Sequence, residues 1–221
     1  MDKIPKVIHY CWFGWSKKSE KFEQYILSRK KYCPDYQIIE RNESNFDINS
    51  NIYIKNAYQK KSRAFVSDYV RFYVLYHHGG IYMDTDIEVL KNLDWFLEDD
   101  FFTAMENKHQ VWWSIMWSIP KHPFAREILN YYEKTDIRII ITHLMTNILQ
   151  KYWLKWSQEQ TVNNIHIYKS KTFYPFAYYE KYSKNCITSE TYTIHRFEAT
   201  RLPKYITKII FPIIWIRKKW F

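Results

Sequence analysis

Two aspartates one residue apart, Asp84 and Asp86, end a short apolar run and are the first candidates for chemistry in this sequence. Side chains alternate between faces along an extended strand, so the spacing predicts both carboxylates on one side and Thr85 on the other. Paired carboxylates suit Mg²⁺ or Mn²⁺, ions that often bridge protein and substrate phosphates. Charges at the end of a core strand are costly without a counter-ion, which favours a metal or substrate site over a salt-bridged structural pair.

A second polar group precedes the aspartates in the sequence. Asp68 and Arg71 are one helical turn apart and share a face. The structural interpretation is a surface ion pair that contributes little to stability. The functional one is an aspartate that accepts from a ribose hydroxyl and is oriented by the arginine, with Ser67 adding a hydroxyl contact.

Two further candidates lie near the ends of the chain. The aromatic loop at 12–15 (Trp-Phe-Gly-Trp) follows the first predicted strand, where ligands gather in a parallel sheet. An aromatic ring there can stack on a base, worth about 1–3 kcal/mol, although a core role is equally open. His195 follows a late predicted strand, and a histidine there can complete a metal site or be purely structural.

The elements that position these groups are a helix and a strand on either side of a glycine pair. The chain has only three glycines, and Gly79 and Gly80 are adjacent. Glycine is favoured where the backbone needs a positive φ or a close approach. The helix is predicted from Ser62 or Arg63 to His77 and the strand from Ile81 to Met83, so the glycines form a turn that brings both polar groups to one ligand.

The remaining pattern predicts an α/β fold. Strand, helix and strand in the first 40 residues indicate a βαβ unit and a mostly parallel sheet flanked by helices. In the first helix, Phe22, Tyr25, Ile26 and Arg29 recur at helical spacing, with Ser19 as a cap. Further strands are predicted at 101–106, 165–168, 172–174 and 191–194, and a strand or buried segment at 111–119. Further helices are predicted at 52–59, 124–134 and 138–153, and a strand continuation with a short turn at 89–97.

Composition indicates one folded domain with an anionic partner. The chain is 47% hydrophobic and 20% aromatic, which excludes a disordered protein. A net charge of +10 favours binding to a nucleotide, a nucleic acid or an acidic membrane. The alternative is a solvated basic surface with no specific partner. Three scattered cysteines fit a reducing compartment. We expect a domain at 1–200 and a basic C-terminal extension at 201–221.

The extension favours a location at a membrane surface. Residues 205–221 alternate apolar side chains with Lys and Arg, as an interfacial segment does on an anionic membrane. The alternative is a basic helix packed on the domain. The N-terminus is not typical of a signal peptide, and the apolar run at 209–216 is far shorter than the ~20 residues of a spanning helix. A soluble or peripheral protein is therefore expected.

The longest motifs resemble a known family. IPKVIHYCWFG at the start and RAFVSDYVRFYVLYHHGGIYMDTDIEVL are similar to glycosyltransferase family 32. This family has a DxD motif and includes bacterial capsule and exopolysaccharide enzymes and yeast initiating mannosyltransferases; the clostridial glucosylating toxins are related. The resemblance spans roughly residues 3–130 and returns weakly at 191–201. It implies a Rossmann-like GT-A fold, a nucleotide-sugar donor, Mn²⁺ or Mg²⁺, and retention of anomeric configuration.

The resemblance also implies roles for single residues. The catalytic set is Asp68, Arg71, Asp84 and Asp86; the donor-binding set is Tyr10, Trp12, Ser67, Gly80, Tyr82 and Thr85; the metal ligands are Asp84, Asp86 and His195. Trp12 matches a tryptophan that stacks on uracil. His195 matches the first histidine of a C-terminal His-His-Trp-x-x-Ser-Trp segment, whose second position here is Arg196, a residue able to neutralise a leaving diphosphate.

The predicted function is a metal-dependent, retaining glycosyltransferase. It moves a sugar, from UDP-hexose or UDP-N-acetylhexosamine rather than GDP-mannose, to a glycan or lipid-linked acceptor in capsular or surface polysaccharide synthesis. It would be cytoplasmic and peripheral on the inner face of the plasma membrane. Same-face attack is favoured, because double displacement needs a second carboxylate, for which Glu106 is the nearest candidate.

Two other classes compete. A phosphatase of the haloacid-dehalogenase type shares the DxD, but Glu88 stands where that motif needs Thr or Val. A nucleic-acid-binding module would explain the charge and the aromatics, but its basic residues are dispersed and no known nucleic-acid motif is present.

Overall fold

The computed structural model describes residues 3–107, 110–135, 141–155, 158–177 and 180–198. The predicted extension at 201–221 lies outside the described residues. The strands are β1 Val7–Cys11, β2 Gln37–Arg41, β3 Gly80–Met83, β4 Ile87–Val89, β5 Phe101–Asn107, β6 Gln110–Ser118, β7 Gln160–Val162, β8 Ile165–Tyr168 and β9 Thr193–His195. The helices are α1 Glu20–Tyr32, α2 Ile52–Gln59, α3 Arg63–His78, α4 Pro123–Glu133, α5 Ile141–Lys151 and α6 Ser170–Phe173, with 3₁₀ turns at Asp94–Phe96 and Lys184–Cys186.

Seven strands form one mixed sheet in the order β2-β1-β3-β6-β5-β8-β7. β1 pairs in parallel with β2 and with β3, which confirms the βαβ start. β6 then runs antiparallel between β3 and β5, β8 is parallel to β5, and β7 returns antiparallel to β8. A second, two-stranded sheet joins β4 to β9.

The sheet separates two apolar cores because neighbouring residues of each strand point to opposite faces. Phe101 and Met116 pack with helices α2 to α5 on one face. Phe102 and Trp117, which stack at 3.8 Å between ring centroids, pack with Phe173 on the other face. Helices on both faces of a sheet complete the predicted α/β layers.

Among the predicted helices and strands, one prediction was wrong and one strand was missed. Residues 172–174 belong to the short helix α6 and its end rather than to a strand, because the Tyr174 N–H donates to the Ser170 carbonyl and closes a turn. That turn carries the side chain of Phe173 into the second core. The strand β7 was not predicted, and its three residues are too few to show a period-two pattern.

The glycine pair meets both requirements expected from the sequence. Gly79 and Gly80 have φ values of 66° and 91°. A Cβ on Gly80 would lie 2.6 Å from the Val7 carbonyl oxygen, and one on Gly79 would lie 2.7 Å from a side-chain carbon of Pro120. The break therefore lets β3 approach β1 directly after α3 ends.

A buried histidine ties this break to the first strand. His9 Nε2 donates to the Gly79 carbonyl at 3.1 Å, and its Nδ1 accepts from Arg41 Nε at 3.3 Å. These bonds need a neutral imidazole. Burial, with the nearby Arg41 charge, lowers the pKa of His9 from 6.5 to about 3.

We expect His9 to make folding stability depend on pH. The unfolded chain binds the proton more readily, so stability rises with pH and is lost as pH falls from about 6.5 towards 3. Between pH 7.5 and pH 5 this residue should account for about 2 kcal/mol of unfolding free energy, from roughly 1.4 kcal/mol per pKa unit. Urea unfolding of the wild type and of His9→Gln across this range measures it, and equal slopes for the two proteins would contradict it.

None of the described helices is long and apolar enough to span a bilayer.

Candidate metal centre

The DxD segment is a turn rather than the predicted extended strand. β3 leaves the large sheet after Met83 and β4 starts the small sheet at Ile87, so the chain must change direction between them. The Ile87 N–H donates to the Asp84 carbonyl at 3.1 Å and closes the turn. The Asp84 N–H still donates to the Ser114 carbonyl at 2.7 Å, which anchors the turn to β6.

The three predicted metal ligands converge on this turn. One ligand atom from each of Asp84, Asp86 and His195 lies within 4.8 Å of the other two. The antiparallel pairing of β4 with β9 sets His195 opposite Ile87, the residue that follows Asp86. Within the described part of the chain, the buried Nδ1 of His195 has no hydrogen-bond partner. Two carboxylates and an imidazole are a donor set that fits a divalent cation such as Mn²⁺.

Asp86 is held as a carboxylate from two sides. Its Oδ1 lies 3.1 Å from His195 Nε2, and its Oδ2 accepts from the Glu198 N–H at 3.1 Å. Burial alone would raise the pKa of Asp86, but His195 and the backbone N–H outweigh burial and lower it to about 2. The group is therefore ionised at neutral pH and available as an oxygen ligand.

The Arg71 guanidinium links the carboxylates of Asp84 and Asp68 next to the DxD turn. Its side chain is 0% exposed and its Nη2 lies 2.9 Å from Asp68 Oδ1 and 3.4 Å from Asp84 Oδ1. Nε donates to the Ser67 carbonyl and Nη1 to the Trp113 carbonyl. Burial alone would lower the pKa of Arg71, but the neighbouring Tyr82, Asp84 and Asp68 outweigh burial and raise it. The guanidinium thus fixes two carboxylates, and contact of Asp68 or Arg71 with a donor sugar stays a prediction.

Tyr82 contacts the site directly, and Tyr10 lies on the neighbouring strand β1. The Tyr82 hydroxyl donates to Asp84 Oδ1 at 2.9 Å, and its ring lies 4.6 Å from the Arg71 guanidinium. Tyr10 donates to Glu40 at 2.8 Å. Both tyrosines and Gly80 are buried in this structure, and their predicted donor contacts stay untested.

The other predicted donor residues are partly exposed around the turn. The Trp12 indole N–H donates to the Ser16 carbonyl at 2.6 Å, and its ring packs on Phe22. Thr85 Oγ1 donates to the Cys11 carbonyl at 3.2 Å, which links the DxD turn to the end of β1. Ser67 Oγ donates to the Arg63 carbonyl. Trp12 and Thr85 thus follow the carboxyl ends of two neighbouring parallel strands.

Arg29 is a site residue that the sequence pattern placed only on the apolar stripe of α1. It is fully buried, and its Nη2 donates to the Asp84 carbonyl at 2.7 Å and to the Ile87 carbonyl at 3.4 Å. Its guanidinium lies 5.2 Å from the Tyr10 ring. Burial lowers its pKa to about 10, so it stays charged at neutral pH. An arginine at an apolar helical position was the signal for it.

The segment after β9 closes the site from the C-terminal side. The Arg196 N–H donates to the Asp86 carbonyl at 3.0 Å. Its guanidinium pairs with Glu88, so its charge is already balanced by that carboxylate. Neutralisation of a diphosphate by Arg196 stays a prediction. The side chain of Glu106, the predicted candidate nucleophile, lies outside the described part of the chain.

Residues 19–103 match the model of the glycosyltransferase sugar-binding region containing a DXD motif. The chain is 29% identical over 174 residues to a mannosyl phosphorylinositol ceramide synthase of Saccharomyces cerevisiae, covering 70% of this chain and 44% of the relative. It is 30% identical to inositol phosphoceramide mannosyltransferase 1 of Schizosaccharomyces pombe (62% and 46% covered). It is 31% identical to the human alpha-1,4-N-acetylglucosaminyltransferase (52% and 35% covered). The chain spans less than half the length of each of these relatives.

A solved structure shares the fold. The PaToxG glycosyltransferase superposes with a TM-score of 0.54 at 20% identity, over 67% of this chain and 68% of that one. This likeness confirms the predicted GT-A fold, a sheet flanked by helices. The sequence matches confirm the predicted resemblance to DXD-containing sugar transferases and support a transferase.

Proposed function

We propose that this chain, whose residues 19–103 match the sugar-binding region of DXD-containing glycosyltransferases, is a metal-dependent, retaining glycosyltransferase that uses a nucleotide sugar. The observation that carries the proposal is the convergence of Asp84, Asp86 and His195 inside and beside that region. Sugar transfer from a nucleoside diphosphate places negative charge on the leaving group. A carboxylate-rich turn that holds a divalent cation is suited to that need.

The residues of the chain divide the work in this proposal. Asp84, Asp86 and His195 would hold Mn²⁺ or Mg²⁺, which supplies Lewis-acid stabilisation of the diphosphate when bound. Arg71 fixes Asp68 and Asp84 so that both carboxylates keep one geometry. Trp12 lies at the end of β1 and offers a ring for the base. Positioning and charge stabilisation then account for most of the rate.

We infer same-face attack, in which the acceptor hydroxyl approaches from the side of the leaving group. Double displacement needs a free carboxylate near the anomeric carbon. Within the described residues of the site, Asp68 and Asp84 are held by Arg71. Asp86 is held by His195 and the Glu198 N–H. These engaged carboxylates favour a route that uses no enzyme nucleophile.

For donor and acceptor we propose a UDP-hexose or UDP-N-acetylhexosamine and a glycan or lipid-linked acceptor of surface polysaccharide synthesis. The relatives are named for mannosyl and for N-acetylglucosaminyl transfer, and two of the names include a phosphoceramide or ceramide acceptor. Nucleotide sugars of both kinds, and a lipid-linked acceptor, are therefore the first substrates to test.

Thermal unfolding with nucleotide sugars tests the proposed function. UDP-glucose, UDP-N-acetylglucosamine and GDP-mannose are each added with and without Mn²⁺. We expect a rise in Tm for one donor that requires Mn²⁺ and disappears with EDTA, because a ligand that binds only the folded state stabilises it. Release of the nucleoside diphosphate from that donor then shows turnover. No Mn²⁺-dependent shift with any of the three donors would contradict the proposal.

We propose further that the enzyme is peripheral on the cytoplasmic face of an anionic membrane. The net charge of +10 and the alternation of apolar and basic residues at 205–221 support this location. Binding to vesicles with and without anionic lipid compares the full chain with a chain lacking residues 205–221. We expect binding that needs both anionic lipid and the segment; equal binding by both chains would refute the proposal.

A further inference from the structure

One face of α1 contacts both halves of the candidate metal centre. Tyr25 and Arg29 are one helical turn apart, at the i and i+4 positions that share a face. Ser28, between them, accepts the Val89 N–H at 2.9 Å and so ties β4 to the helix. The helix thus lies against the DxD turn, the strand after it and the segment that brings in His195.

Arg29 holds the main chain of the DxD turn. Its Nη2 donates to the Asp84 and Ile87 carbonyls, the two residues joined by the turn's own hydrogen bond. Nε and Nη1 are buried without a hydrogen-bond partner among the described residues. A fully buried guanidinium with two unused donors lowers the stability of the fold. This cost to stability points to a functional role of Arg29 at the DxD turn.

Tyr25 holds the other half of the centre through Glu198. Its hydroxyl donates to Glu198 Oε1 at 2.8 Å, and Lys21 approaches the same carboxylate at 3.3 Å. The backbone N–H of Glu198 in turn donates to Asp86 Oδ2. Fixing the Glu198 side chain therefore fixes the segment that follows His195 and the orientation of Asp86.

We propose that Arg29 and Tyr25 are positioning residues that set the two halves of the metal centre, the DxD turn and the His195 segment, at the spacing needed to bind the cation. This inference rests on the proposed metal-dependent function. Neither residue is a ligand of the cation. Their effect is on its affinity, as that of residues that orient metal ligands generally is.

Titration with MnCl₂, with free Mn²⁺ followed by its EPR signal, tests the proposal without any donor or acceptor. We expect Arg29→Met to weaken Mn²⁺ binding about 10- to 100-fold, the range for residues that orient metal ligands. Arg29→Lys should recover part of the affinity, because its ammonium can still donate to the Asp84 carbonyl. Tyr25→Phe removes a single hydroxyl and should weaken binding about tenfold, as expected for a hydrogen bond to a charged group.

Tyr152→Phe is the matched control. Its hydroxyl also donates to a glutamate, Glu127, at 2.5 Å but bridges α4 and the end of α5. Its Mn²⁺ affinity should equal that of the wild type. Tyr25→Phe keeps the test decisive if Arg29→Met fails to fold.

The outcomes separate this inference from the proposed function. If the wild type binds Mn²⁺ and Tyr25→Phe and Arg29→Lys bind it equally well, the inference is wrong while the function stands. The inference is also wrong if the variants lower only Tm and leave Mn²⁺ affinity unchanged. A wild type without Mn²⁺ affinity overturns both. In turnover assays the variants should need more Mn²⁺ for half-maximal rate but regain most of the rate at saturating Mn²⁺.

Discussion

Asp84→Asn is expected to lower sugar transfer at least about a hundredfold, because a divalent cation bound there would stabilise the transition state by several kcal/mol and each ~1.4 kcal/mol is a factor of ten. The amide keeps the shape of the carboxylate. Its oxygen can still accept from the Tyr82 hydroxyl, and Asp68 still pairs with Arg71. What is lost is the negative charge of one predicted ligand. Steady-state rates at rising Mn²⁺, with circular dichroism to confirm folding, measure the effect.

Asp47→Asn is the matched control for this change. Asp47 lies in an exposed loop, where its carboxylate accepts the Asn49 N–H. The same loss of charge there should leave transfer unchanged. If Asp84→Asn turned over at the wild-type rate with Mn²⁺, Asp84 would not be a ligand, and the metal centre proposed here would be refuted. Asparagine is a sharper test than alanine, because alanine also removes the acceptor of the Tyr82 hydroxyl.

Strong local signals made the centre of the fold predictable. The role of the glycine pair is predictable because only glycine tolerates the positive φ of Gly80 together with contact to the Val7 carbonyl. The parallel start followed from a long helix between two apolar runs. The strand pattern does not predict the DxD turn, because the period-two alternation ends at Met83, where the chain changes sheets.

Long-range contacts were the part that sequence could not supply. The pairing of β4 with β9 brings His195 to Asp86 across more than 100 residues, and both strands have only three residues. Strands so short carry no readable periodicity, so the sequence pattern leaves a structural role for His195 equally open, and only the resemblance favours it as a metal ligand. Arg29 and Arg71 were found on helical faces, but their burial depends on carbonyl and carboxylate partners that lie far away in the sequence.

Arg71→Met is expected to reduce the free energy of unfolding by about 3–5 kcal/mol, the usual cost of removing one partner of a buried ion pair. The substitution leaves the Asp68 and Asp84 carboxylates close together without the positively charged guanidinium between them. It also leaves the Trp113 carbonyl without the Arg71 donor. The free energy of unfolding of Arg71→Lys should lie between those of the wild type and Arg71→Met. The lysine ammonium keeps the charge but cannot reach every acceptor that the planar guanidinium reaches. Urea unfolding followed by tryptophan fluorescence gives the values.

Arg126→Met separates burial from the loss of an arginine as such. Arg126 pairs with Glu133 at 3.1 Å, but the two side chains are 42% and 35% exposed. Its loss should cost no more than about 1 kcal/mol, as for exposed pairs. Adding Asp68→Asn to Arg71→Met should recover part of the stability, because it neutralises one of the two carboxylates that Arg71 contacts in the wild type. If Arg71→Met were no more harmful than Arg126→Met, the bridge between Asp68 and Asp84 would not hold the site together, and both carboxylates would have to be fixed by other groups.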